Sequence, residues 1–195
     1  MPQVVGDTGK EKARALEAQQ LLTALTKEKP VDLNFQWELA AVDDAVGNVL
    51  VAQGNLPEAL PSYRDGLAIR ERLAKSDTGN AGWQRDLSLS YDEVGDVLVA
   101  QGNLPEALQS HRDGLAIRER LAKSDPENGG WQRDLAVVHS KVGVALQKMG
   151  QTASAREEFV AGRTIMATLV EQNPGWAEWK KDRAWFDNQL ANLGR

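Results

Sequence analysis

Two histidines, His111 and His139, and the neighbouring carboxylates Asp43-Asp44 and Asp92-Glu93 are the side chains through which this sequence would have to do acid–base or metal chemistry. A metal site needs further ligands at helix or loop spacing, and no such spacing surrounds either histidine. Adjacent carboxylates on a helix point about 100° apart, so neither pair would address one substrate. There is no cysteine, which excludes thiolate metal sites, disulfides and cysteine nucleophiles. Gly129-Gly130 lacks the Lys-Ser/Thr that completes a phosphate loop. The reading is therefore a chain with no catalytic, cofactor-binding or metal-binding residues. Tryptophans can stack on bases or sugars, but Phe35, Trp83, Trp131 and Trp179 stand 48 residues apart in one register, which marks them as packing residues. Trp37, Trp176 and Trp185 lie off that register, and Trp176 and Trp185 are expected to be the more exposed.

Charge narrows the partners. A formal charge of −5 and a pI near 5.2 give no general attraction to phosphate backbones or anionic lipid, so neither nucleic acid nor membrane is expected. The N-terminal residues show no signal-peptide pattern, and no window reaches the roughly 18 apolar residues of a membrane span. A cytoplasmic protein is expected. At 195 residues with 42% apolar side chains, the chain can fill one domain or a short array of stacked units.

The elements that position these groups are set by a repeat. Val46-Gly47-Asn48-Val49-Leu50-Val51-Ala52-Gln53-Gly54-Asn55-Leu56-Pro57-Glu58-Ala59-Leu60 returns 48 residues later, with Gly95 in the place of Gly47, and a diverged third copy keeps Gly143, Gly150, Ala155, Gly162 and Leu169. Apolar residues such as Trp83, Leu87, Val94, Val97 and Leu98 follow helical steps, Gly102-Asn103 breaks the helix, and Leu104-Pro105-Glu106 opens the next with proline where its missing N–H is harmless. Each unit is thus an antiparallel helical hairpin. The spacing predicts a tail over 1–9, a lone second-type helix over 10–28, hairpins over 35–75, 83–123 and 131–172, and a closing first-type helix over 177–193. That makes eight helices and no strand. Pro61 falls inside the second helix of the first hairpin, which predicts a kink near Pro57 or a late start.

The hairpin resembles the tetratricopeptide repeat. The family's small residue in the first helix, turn glycine, early alanine, aromatic and second small residue correspond to Gly95, Gly102, Ala107, His111 and Gly114. In the outer hairpins they correspond to Gly47, Gly54, Ala59, Tyr63 and Gly66, and to Gly143, Gly150, Ala155, Phe159 and Gly162. The period of 48 exceeds the usual 34, so the chain looks like a long-helix variant. The resemblance implies an all-α, right-handed superhelical solenoid acting as a non-catalytic protein-interaction scaffold, with a peptide or partner helix lying on the first-helix face. The groove positions it implies are Ala41, Asp44 and Asn48; Leu89, Asp92 and Asp96; and Val137, Ser140 and Val144. Aspartates stand where chaperone-binding members carry Lys, Asn or Arg, so the expected partner is basic or apolar.

An alternative is a structural subunit. The first and last helices are half-repeats, and Leu16, Leu21, Leu22 and Leu25 at one end with Trp179, Trp185, Phe186, Leu190 and Leu193 at the other are candidate self-association residues for a homo-oligomeric ring or filament.

Overall fold

The computed structural model describes the backbone of residues 3–193 and the side chains of residues 8–193. Eight α-helices, and no strand, are present among the described residues: α1 (Gln3–Glu28), α2 (Leu33–Ala52), α3 (Leu56–Ser76), α4 (Ala81–Gln101), α5 (Leu104–Ser124), α6 (Gly129–Lys148), α7 (Thr152–Gln172) and α8 (Ala177–Asn192). They form two compact units divided after Gln101. Within the first, α1 packs on α2, α2 on α3 and α3 on α4; within the second, α5, α6, α7 and α8 pack in the same serial way.

The tight turns follow from one backbone position. Gly54 and Gly150 adopt φ +75°, the left-handed region that ends a helix without Cβ strain. The N–H of Asn55 then reaches back to the carbonyl of Leu50 at 2.8 Å, and that of Gln151 to Leu146 at 2.9 Å, which satisfies carbonyls the helix end would leave bare. Between hairpins a second device recurs. Asn80 and Asn128 accept from the N–H groups of Trp83 and Trp131, while Gln84 and Gln132 donate to the carbonyls of Ala74 and Ala122 at 3.0 Å.

These caps move the helix starts. α2, α4 and α6 begin two residues before the Phe35, Trp83 and Trp131 positions expected from the hydrophobic pattern, because a cap residue lies outside the apolar stripe. The expected tail over 1–9 is also corrected: residues 3–9 belong to α1, and residues 1–2 lie outside the described residues. Pro61 neither delays nor interrupts α3, which starts at Leu56 in step with α5 at Leu104. Both Pro57 and Pro61 are exposed, so the Pro57 carbonyl that loses its helical donor faces water.

The small residues and aromatics interlock. Tyr63 and Phe159 lie on Gly47 and Gly143 of their own hairpins so closely that an added Cβ would stand 2.8 Å and 2.4 Å from the rings. Phe159 also meets Trp185 of α8 edge to face, with centroids 5.7 Å apart, so in the third hairpin the aromatic bridges to the next helix as well. One repeat position carries a polar tie in both units. Asp43 accepts from Gln19, Tyr91 donates to Glu71, His139 meets Glu158, and Asp187 accepts from Arg163.

Candidate partner-binding groove

On the first-helix face of the second unit, α6 and α8 stand on either side of a small pocket lined by Ala136, Val137, Ser140, Met166, Asp182, Trp185 and Phe186. Trp185 forms one wall, 37% exposed, and is held edge-on between Phe159 and Phe186. Its orientation is therefore set before any partner arrives. At the rim Arg133 donates from Nε to Asp182 Oδ2 at 2.7 Å. Phe186 and Met166 form an apolar floor. This arrangement can take up an apolar side chain and offers a rim carboxylate already engaged by a guanidinium.

In the first unit the corresponding face is polar, and two of its charges, Asp44 and Asp92, are buried. Asp44 of α2 is ion-paired with Arg70 of α3, whose Nη1 donates to Ser90 Oγ of α4 at 2.5 Å. The approach is close because Gly66 leaves room: a Cβ there would stand 2.8 Å from Asp44 Oδ1. Asp43 faces away from that pair and accepts from Gln19 Nε2 of α1 at 2.7 Å. Burial pushes the Asp43 carboxyl up to about 6; the Gln19 hydrogen bond opposes this, and Asp65 and Asp44 add to it. Burial raises Asp44 as well, against the pull of Arg70. Tyr63 donates to Asn48 at 2.9 Å, and burial with the nearby Glu93, Asp44 and Asp96 pushes its phenol up to about 12.

The structure sorts the expected groove residues by burial. Asn48 and Asp96 are exposed, Leu89 sits at the margin of exposure, and Ala41, Val137, Ser140 and Val144 are half-buried. Asp44 and Asp92 are buried rather than offered on the surface. Arg70 and Arg118, which sit on second helices, are buried too. Val137 and Ser140 share one pocket with Trp185, which the sequence reading had placed with the self-association residues. The signal was available, since Trp185 stands 48 residues after Val137, and Val137 after Leu89.

The self-association set divides likewise. Trp179 and Phe186 belong to the buried core of the second unit, and Leu190 and Leu193 are half-buried and pack against it. Trp179 covers Gly129, and Leu169 lies beside the same glycine. Leu16, Leu22 and Leu25 are half-buried, and Leu21 is 63% exposed. Trp131 is half-buried rather than core, whereas Trp37 and Trp176 are exposed.

Comparison with known proteins agrees with this architecture. Residues 44–78 and 88–127 match the family model of the tetratricopeptide repeat. No curated protein sequence is a detectable match. Among solved structures, BtubC (BKLC) from P. vanneervenii superposes with a TM-score of 0.65 at 14% identity over 95% of this chain, which spans only 65% of that protein's chain. A Podosopora anserina protein described as a kinesin light chain with nearly identical TPR-like repeats superposes with a TM-score of 0.57 at 19% identity, covering 99% of this chain and 86% of that one. At these identities the likeness is one of fold. Two stretches of the chain, under half of its length, match the tetratricopeptide repeat model, and its helical-hairpin architecture is shared with these structures, so the chain carries repeats of tetratricopeptide type.

Proposed function

We propose that the chain is a non-catalytic protein-interaction scaffold whose first-helix face holds a peptide or partner helix, anchored by an apolar side chain in the Trp185 pocket. Tetratricopeptide repeats generally mediate protein–protein interaction. The observation that carries the reading is the exposed, pre-oriented Trp185 facing Val137 and Ser140 across a pocket with an apolar floor. Buried tryptophan contacts dominate many interfaces, and a side chain already held in place loses little freedom on binding. The segment that enters this pocket is apolar; on the first unit, taken by itself, Asn48 and Asp96 are exposed and suit a basic segment. No described helix is long and apolar enough to cross a membrane. Peptides selected from a random display library on the immobilised protein test this. Trp185→Ala, measured under conditions where the variant remains folded, should weaken the selected peptides by at least about tenfold, or roughly 1.4 kcal/mol. Equal binding to wild type and Trp185→Ala would sink the pocket as the anchor.

A second reading, head-to-tail association with another copy, is favoured by one observation. Ala184 and Ala191 of α8 are exposed, although the matching internal positions (Ala40, Ser88 and Ala136; Gly47, Gly95 and Gly143) are all buried. Leu21 of α1 is 63% exposed where Ile69 and Ile117 are 6% exposed. Sedimentation over a wide concentration range tests it. Association that Leu21→Arg or Ala191→Lys abolishes supports a contact between α8 of one copy and α1 of the next. A monomer at every concentration removes it.

A further inference from the structure

We infer that Asp44 and Glu93 share one proton, held between α2 and α4 beside Arg70, and that losing this proton loosens the first unit where α4 meets α2 and α3. The two carboxyls are within hydrogen-bonding reach of each other. Two carboxylates cannot make that bond, because each has only acceptors, so one of them must carry a hydrogen. The surroundings supply no substitute. Asp44 Oδ1 is buried with no hydrogen-bond partner, and Arg70 is committed through Nη2 to Asp44 and through Nη1 to Ser90, while its Nε is buried without an acceptor.

Charge decides which group holds the proton. Asp44 has the guanidinium against it and is the anion; Glu93 is the acid that donates. Burial and the Asp44 charge push the Glu93 carboxyl up to about 7, with Arg70 opposing. The groups around the pair are overwhelmingly acidic or neutral. α1 brings Gln19 to Asp43; α2 supplies Asp43 and Asn48; α3 supplies Tyr63, Asp65 and Arg70; and α4 supplies Asp86, Ser90, Asp92 and Asp96. Arg70 is the cation that acts on both members of the pair. When Glu93 ionises, one guanidinium must serve two carboxylates in a poorly hydrated site, and the second is repelled.

The direction follows from linkage. The folded chain holds this proton more tightly than the unfolded chain, so the stabilisation is complete below the ordinary glutamate range and is lost as pH rises through about 7. No other copy has an acid at this position: Ala45, Lys141 and Gln189 stand there. The device therefore belongs to the first unit, and its first-helix face gains one negative charge when the proton leaves.

Two measurements on the intact chain test this. Carbon-detected NMR of the Glu93 side-chain carboxyl should show a midpoint near pH 7. The wild-type melting temperature should fall between about pH 6 and about pH 8, and Glu93→Gln, whose amide donates to Asp44 at every pH, should flatten that fall. A Glu93 carboxyl titrating in the ordinary glutamate range, or a Glu93→Gln variant with the wild-type pH profile, would overturn the inference. The NMR titration needs no substitution, so a variant that folds poorly leaves the test intact.

Discussion

Phe186 of α8 closes over Gly162 of α7, where an added Cβ would stand 2.4 Å from the ring's Cζ and 3.2 Å from the carbonyl oxygen of Ala136. The ring is fully buried and is also held edge-on by Trp185, so it has nowhere to retreat. Gly162→Ala should therefore destabilise by about 1–3 kcal/mol, read as a shift in the urea midpoint. Gly9→Ala makes the control, because nothing lies within 4 Å of its added Cβ and alanine is favoured in a helix by up to about 1 kcal/mol. Equal effects at the two glycines would mean that the α7–α8 contact is looser than it stands here.

The tryptophans separate by burial. Trp179 is 5% exposed and packs over Gly129, so Trp179→Ala should cost about 3–5 kcal/mol through the cavity it leaves. Trp131, half-buried, should cost distinctly less. Thermal melts of the two variants side by side check the order, and the reverse order would show that the repeat register rather than burial sets the cost.

Breaking the Asp44–Arg70 pair should be far worse than removing it. Arg70→Met leaves Asp44 buried beside Glu93 without its cation and should cost about 3–5 kcal/mol. Adding Asp44→Leu to that variant should recover most of the loss, since the uncompensated charge goes with it. Chemical denaturation of the two variants measures the recovery. No recovery would place the loss in the packing of the guanidinium rather than in its charge.

Asp43 carries its own pH dependence. Its carboxyl, raised by burial to about 6 from an unfolded value of 3.8, binds a proton more tightly in the folded chain, so its contribution is fully present below about pH 4 and disappears as pH rises through about 6. Asp43→Asn should remove that slope, worth about 1–3 kcal/mol across the window, and should leave the higher window of Glu93 in place. Stability measured from about pH 4 to about pH 8 in both variants resolves the two steps, and an unchanged slope in Asp43→Asn would sink the assignment.

Much of this protein is legible from local chemistry. The 48-residue period, helical spacing of apolar residues, turn glycines at Gly54 and Gly150, and small residues opposite Tyr63 and Phe159 suffice for an array of helical hairpins. Each of these signals acts over a few residues or repeats along the chain, which is why it survives without coordinates. The polar positions escape such reading. Asp44 and Asp92 fall on the helix face that a groove would use, and Arg70 and Arg118 on second helices, but periodicity says which residues share a face and not how deeply a neighbour covers it.

The sequence alone therefore determined the class of fold, its period and which residues share a helix face. Only the tertiary structure decided which members of that face meet: Val137 and Ser140 with Trp185 in one pocket, and Asp44 with Arg70, Ser90 and Glu93 in one buried cluster. The physical reason is range. Turns and helices are set by neighbours in the chain, whereas burial and charge pairing depend on residues that only helix packing brings within a few ångströms.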